Sequence, residues 1–243
     1  MSHALLLGAT GLVGRCLLEQ LLDDPQWESV TVLGRRELPI KHPKLRQQRC
    51  DFESLAATAA ASDVRHHTSH PLVDSVEPET DGLLQLFTPI DAVFCCLGTT
   101  IGKAGSGQAF RRVDYDYCVA AATLANHAGV PHFLMVSAVN ADANSRLLYP
   151  RTKGEAEQAI AGLGFAAVTF ARPSLLIGER DDSRPGEQVG LLAMAMIRPL
   201  VGWSRANWLA IEADRVAAAL KRAAANPDAS GVTRLYYADF IKE

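Results

Sequence analysis

Long apolar runs are missing from this 243-residue sequence. A membrane-spanning helix needs roughly 20 consecutive apolar residues, and no segment offers them, so no transmembrane segment is expected. The N-terminal MSHALLLGATG lacks the basic region and extended apolar stretch of a secretory leader. A surplus of charge is missing too. The net charge of −3 gives no electrostatic reason to expect nucleic acid or an anionic membrane as a partner. Cysteine is sparse and lacks metal-type spacing: Cys16, Cys50, Cys95, Cys96 and Cys118 form no CxxC pair. Buried, reduced thiols are the simplest reading, which predicts a cytoplasmic protein. His66, His67 and His70, with Asp63 and Asp74 nearby, match no zinc pattern, so a solvated loop and no metal are expected. Internal repeats, low-complexity tracts and interdomain linkers are also absent, which points to a single domain over 1–243.

What remains is an alternation of short apolar runs with amphipathic stretches. HALLLG (3–8), SVTVLGRR (29–36), LRQQRC (45–50), IDAVFCCLG (90–98), PHFLMVSA (131–138) and FAAVTFARP (165–173) read as strands. Helices are predicted over 11–24, 51–61, about 107–128 and about 150–162, and later over 213–225. Runs apolar on both faces, separated by helices, imply a mostly parallel sheet covered on both sides. The expected fold is a doubly wound α/β Rossmann domain, with about 174–243 as a small C-terminal, substrate-side extension. Residues 62–89 carry turn formers without a period and read as an insertion or irregular loop. TRLYYA (233–238) reads as a strand, and the run around Met194 and Met196 as ordinary core.

The first strand leads straight into GATGLVG, with Gly8, Gly11 and Gly14 before a helix. Glycine permits a tight turn and lets backbone amides approach a pyrophosphate, at which the helix N-terminus then points. About 20 residues on, where an acid would take the ribose hydroxyls of NAD, the sequence has Gly34, Arg35 and Arg36. A guanidinium pairs with a 2′-phosphate that a carboxylate would repel, so the expected cofactor is NADP(H). IGKAGSG (101–107) is not a Walker loop, because Lys103 precedes most of its glycines; a lid over the nicotinamide end is expected instead.

Tyr149 and Lys153 lie four positions apart at a helix start, and Ser137 lies 12 residues before Tyr149 at a strand end. Proline disfavours helix in its predecessor, so Pro150 is expected in the first helical turn with Tyr149 at the helix mouth. An adjacent ammonium favours the phenolate of a tyrosine whose ordinary pKa is about 10. Tyr149 can then exchange a proton with a carbonyl or alcohol, Lys153 can hold the cofactor ribose, and Ser137 can donate to the substrate oxygen.

These motifs resemble the short-chain dehydrogenase/reductase superfamily, in its atypical branch typified by the Tat-interacting-protein-like oxidoreductases. The likeness is carried by GATGLVG (8–14), VLGRR (32–36), DFE (51–53), CCLGTTIGKAG (95–105) and FRRVDYDY (110–117). It continues through VSA (136–138), YPRTKGE (149–155), ARPSLLIGERDDSRPGE (171–187) and IEADRVAAAL (211–220). The resemblance implies that Gly8, Thr10, Gly11, Leu12, Val13 and Gly14 line the pyrophosphate and that Arg35 and Arg36 take the adenosine phosphate. It also implies that Asp51 and Phe52 flank the adenine, that Leu97, Gly98 and Thr99 lie along the cofactor, and that Pro173, Ser174 and Leu175 sit near the nicotinamide. Tyr149 and Lys153 would contact cofactor as well as substrate. Where relatives often carry two serines this chain has Ser137 and Ala138. Members of the branch are described both as enzymes acting on a small carbonyl or alcohol and as cofactor-binding regulators, so either a small-molecule substrate or a protein partner is implied. Nothing in the sequence sets the oligomeric state.

Overall fold

The computed structural model describes residues 2–67, 82, 84–178 and 210–242. Strand β1, Ser2–Leu7, shows how the sheet is built. Ala4 and Leu6 point into one core while Leu5 and Leu7 point into another, and all four are fully buried. Only a strand covered on both faces needs apolar residues at every position. Helix α1 (Leu12–Asp23) follows, then β2 (Trp27–Gly34), β3 (Leu45–Arg49), α2 (Phe52–His67) and β4 (Ala92–Cys95). Two short helices, α3 (Ile101–Ala104) and α4 (Gly107–Arg111), lead into a π-helical turn over Arg112–Asp116 and then α5 (Tyr117–His127). β5 (His132–Val136), α6 (Leu148–Ala161) and β6 (Ala167–Ala171) continue the alternation. After a two-residue strand β7 (Leu176–Ile177), the described chain resumes with β8 (Ile211–Glu212), α7 (Ala213–Ala224), β9 (Gly231–Leu235) and α8 (Tyr237–Phe240).

The main sheet has the order β3-β2-β1-β4-β5-β6-β9, and every described pair in it is parallel. It is the expected Rossmann-type domain. The order reverses beside β1, which opens a crevice at the carboxyl ends of β1 and β4, where ligands of such sheets bind. One core packs α2, α5 and α6 on one face, and the other packs α1 and α7 on the opposite face. Within the C-terminal stretch, β9 completes the main sheet and α7 lies along α1, tied by Gln20 to Asp214 and by Lys221 to Asp24. β7 pairs with β8, and a Cβ on Gly178 would stand 3.1 Å from Leu12, so this short pair closes over the start of α1.

Several local expectations are corrected. α2 runs to His67 rather than 61, because nothing in SDVRHH breaks a helix and Ser62 donates back to the Thr58 carbonyl at 2.9 Å. Of the expected irregular segment, 68–81 and 83 lie outside the described residues, as do His70, Asp74, Met194 and Met196. The helix predicted over about 107–128 is interrupted by the π-helical turn. Within the segment expected as a lid, residues 101–104 form a helical turn capped by Thr100 and closed by the left-handed Gly105. The strand predicted over 233–238 ends at Leu235, because Asp239 accepts the Tyr236 N–H at 2.9 Å and turns the chain into α8.

His132, buried at the start of β5 and 2.9 Å from Thr169 Oγ1, makes stability depend on pH. Burial pushes its imidazole down from 6.5 to about 4. Through that window the unfolded chain binds the proton and the folded chain does not. Stability is therefore complete above the unfolded value and is lost as pH falls toward the folded one, by on the order of 3 kcal/mol. Urea midpoints measured across the window should show this slope, and His132→Gln should flatten it.

Candidate active site

The glycine turn is made by close approach. Gly8 has φ +81°, and a Cβ there would stand 2.4 Å from the Cys96 carbonyl oxygen. A Cβ on Gly14 would stand 2.2 Å from the Gly8 carbonyl oxygen. The turn after β1 is thus pressed against both the segment after β4 and the first turn of α1. Gly11 is the N-cap of α1, and no side chain caps the helix and no acid occupies its first turn. Leu12, Val13 and Gly14 therefore present backbone N–H groups at a helix N-terminus, a ready anion site. Thr10 and Gly11 are exposed there.

Arg35 and Arg36 stand exposed at the carboxyl end of β2. Asp51 caps α2, accepting from the Glu53 and Ser54 N–H groups at 3.3 Å and from Ser54 Oγ at 3.0 Å. Phe52 is buried and stacks on Tyr117 at 5.5 Å. Helix capping and core packing thus already occupy the two side chains assigned to the adenine.

Across the crevice, the segment after β4 leads to an element the sequence did not single out. The Thr99 N–H donates to Asp114 Oδ2 at 2.8 Å, and Asp114 Oδ1 lies 2.7 Å from Lys153 Nζ. Asp114 and Lys153 are 1% and 4% exposed, which makes this a desolvated pair. Asp114 rides on the π-helical turn, whose extra residue shifts the helical face and brings the carboxylate under the 97–99 segment. Lys153 Nζ also reaches the Val136 carbonyl at 3.5 Å, and a Cβ on Gly98 would stand 3.7 Å from it. Gly98 thus packs directly against the ammonium. The chain did show the acid, in FRRVDYDY, but its burial depends on a π turn that periodicity does not reveal.

Tyr149 lies in the first turn of α6, which begins at Leu148 with Pro150 third in the helix, where its missing N–H costs nothing. Its ring stacks on Phe110 at 5.5 Å. α4 comes so close that a Cβ on Gly107 would meet Leu148 at 2.8 Å. Lys153 does favour the Tyr149 phenolate, as expected, but it does not set the outcome. Burial raises the pKa, Lys153 pulls it down and Asp114 pushes it up again, and the phenol ends above its ordinary value. For Lys153, burial pulls downward, but Asp114, Tyr149 and Cys118 together hold the ammonium above its ordinary value. The resting pair is a neutral phenol beside a charged ammonium.

Ser137 does not join them. Its Oγ donates to Glu157 Oε1 at 2.5 Å, and it is 4% exposed. Glu157 is also held by Arg172 at 2.6 and 2.8 Å and by Arg234 at 3.3 Å. The hydroxyl proton goes to a buried ionic network one helical turn beyond Lys153. Pro173 accepts the Val139 N–H at 3.0 Å, which places Pro173, Ser174 and Leu175 at the carboxyl end of β6, next to the segment after β5. Among the described residues no cluster of metal-ligating side chains occurs, and no helix is long and apolar enough to cross a membrane.

A family model described as NAD(P)H-binding matches residues 8–190. Protein HTATIP2 of Rattus norvegicus is 36% identical over 185 residues, which cover 75% of this chain and 66% of that protein. Protein FMP52-2, mitochondrial, of Scheffersomyces stipitis is 35% identical over 181 residues, covering 74% of this chain and 69% of the relative. This chain thus spans about two thirds of their length. Among solved structures, MoeE5 in complex with UDP-glucose and NAD shares the fold with a TM-score of 0.64 at 19% identity, covering 96% of this chain and 76% of that one. The cytoplasmic expectation is overturned, because fungal relatives are named mitochondrial. The five free cysteines do not by themselves choose a compartment.

Proposed function

The chain belongs to the NAD(P)H-binding family, and on that premise we propose that it is an NADP(H)-dependent oxidoreductase acting on a small carbonyl or the corresponding alcohol. Its relatives set it in the atypical branch of the short-chain dehydrogenase/reductase superfamily. The observation that carries the reading is the buried Asp114–Lys153 pair, with the Tyr149 phenol beside it, across the crevice from the glycine turn.

The residues fit a dinucleotide. The turn at Gly8 and Gly14 has no room for side chains, and the uncapped N-terminus of α1 would hold the pyrophosphate. Arg35 and Arg36 would take the adenosine phosphate, with Leu97, Gly98, Thr99 and Lys153 on the side of the reactive ring. When bound, the cofactor would supply or take the hydride. Tyr149, neutral at rest, donates its proton to a carbonyl oxygen and takes it back in the oxidative direction. Asp114 keeps Lys153 charged, and the ammonium steadies the phenolate left after transfer. A phenol above its ordinary pKa keeps its proton through the neutral range, so the form that reduction requires is the one populated there.

A second reading, a cofactor-binding regulatory or scaffold protein with little turnover, is favoured by one observation. Ser137 donates to Glu157, which leaves the developing oxyanion one donor poorer. Replacing Arg35 and Arg36 together with alanine should weaken NADPH by about tenfold or more while moving NADH by about twofold at most. Equal weakening of both cofactors contradicts the phosphate assignment. Cofactor oxidation with a panel of carbonyls separates the enzyme from the regulator.

A further inference from the structure

The loop that presents Arg35 and Arg36 is tied down by one side chain. Gln47, in the middle of β3, accepts the Leu38 N–H at 2.7 Å and donates to the carbonyls of Leu38 at 3.2 Å and Ile40 at 3.1 Å. Side chains alternate along a strand, so Gln47 and Arg49 leave β3 on the same face. The register says which face. Gln47 is paired with Val32 and Arg49 with Gly34. Val32 is buried in the core shared with α1, and Leu38 packs on that same core. Arg49 therefore projects at the carboxyl edge of the sheet, on the face that carries the glycine turn and α1.

Gly34 lets the arginine loop fold back beside the end of β3. A Cβ on Gly34 would stand 3.2 Å from the Arg36 carbonyl oxygen, so the chain doubles back over Gly34 on the face from which Arg49 leaves. Arg35, Arg36 and Arg49 are all exposed, and none is paired with an acid among the described residues. Glu37 follows them in the loop and pairs with none of them. Three guanidinium groups at this edge, unpaired among the described residues, suit a phosphomonoester, which carries close to two negative charges near neutral pH.

We infer that Arg49 is a third guanidinium of the adenosine-phosphate site and a determinant of NADP(H) over NAD(H). Gln47 is its positioning residue, clamping the loop so that Arg35 and Arg36 face Arg49. This rests on the NADP(H) reading above. This role was not legible beforehand, since an arginine ending an edge strand is an ordinary solvated residue until register and loop path are known.

The test is the dissociation constant of NADPH and of NADH for four variants of the full chain, each checked for an unchanged melting temperature. Arg49→Ala should weaken NADPH by about tenfold, or about 1.4 kcal/mol, and NADH by less than about twofold. Gln47→Leu should weaken NADPH by about threefold with no charge removed, and again spare NADH. Arg46→Ala, which removes a charge from the opposite face of the same strand, should change neither. If Arg49→Ala leaves NADPH untouched while the Arg35/Arg36 double variant weakens it, the inference falls and the NADP(H) reading stands. If Arg49→Ala weakens both cofactors equally, Arg49 serves the fold and the inference falls as well. If Gln47→Leu leaves NADPH unchanged, the positioning role is overturned. If the double variant leaves the cofactor preference intact, the underlying reading itself fails.

Discussion

Tyr149→Phe is expected to lower carbonyl reduction by two orders of magnitude or more while leaving NADPH affinity within about twofold of the original. The substitution removes one oxygen and little else. Phenylalanine can keep the stack on Phe110, and the close contact between α4 and the first turn of α6 involves Gly107 and Leu148 rather than the phenol. A fall in rate therefore reports on proton transfer and not on repacking. The pH dependence adds a second signature. Burial and Asp114 hold the phenol above its ordinary value, so the acid form persists through the neutral range. The reductive rate should stay flat there and decline only above about pH 10. An unchanged rate in the phenylalanine variant, measured as NADPH oxidation with a confirmed substrate, removes Tyr149 from the mechanism.

Asp114→Ala is expected to destabilise the fold by about 3–5 kcal/mol, because it strands a buried ammonium. Lys153 is 4% exposed and Asp114 is its ionic partner. With the carboxylate gone, burial alone acts on Lys153 from that side and pulls its pKa down, so the variant loses stability and the charge that steadies the Tyr149 phenolate. Replacing Lys153 with methionine in the same chain should recover much of the stability, since no unpaired charge is then buried. Arg111→Ala is the contrast. Its pair with Glu155 is solvent-exposed, at 40% and 30%, and should contribute no more than about 1 kcal/mol. Urea denaturation of the three variants beside the original protein measures this. A loss below about 1 kcal/mol for Asp114→Ala would mean that the pair is not desolvated as described.

What the sequence disclosed and what it withheld divide along a physical line. The sheet was legible because the two buried faces of a parallel strand write themselves into every residue, as in Ala4 to Leu7. The glycine turn was legible because close backbone approach tolerates only one residue type, and it follows a strand and precedes a helix. The strand and the end of it that carry Ser137 were also legible, but its direction was not. Ser137 faces α6, where Glu157 is buried against Arg172, just after β6, and Arg234 of β9, 77 residues away in the chain. No local pattern encodes such a meeting. Asp114 was hidden for a related reason. An acid inside a helical stretch reads as solvated until a π turn rotates it under the 97–99 segment. The longer α2 was missed because turn-forming residues beyond it drew the boundary back, although nothing before His67 breaks a helix.

The direct test is a titration of the unmodified protein with NADPH and, in parallel, NADH, followed by quenching of its three tryptophans and by nicotinamide fluorescence. A nucleotide held by the glycine turn at one end and by unpaired arginines at the other should bind saturably, with NADPH tighter than NADH by about tenfold or more. Saturation by neither nucleotide, or equal affinity for both, would contradict it.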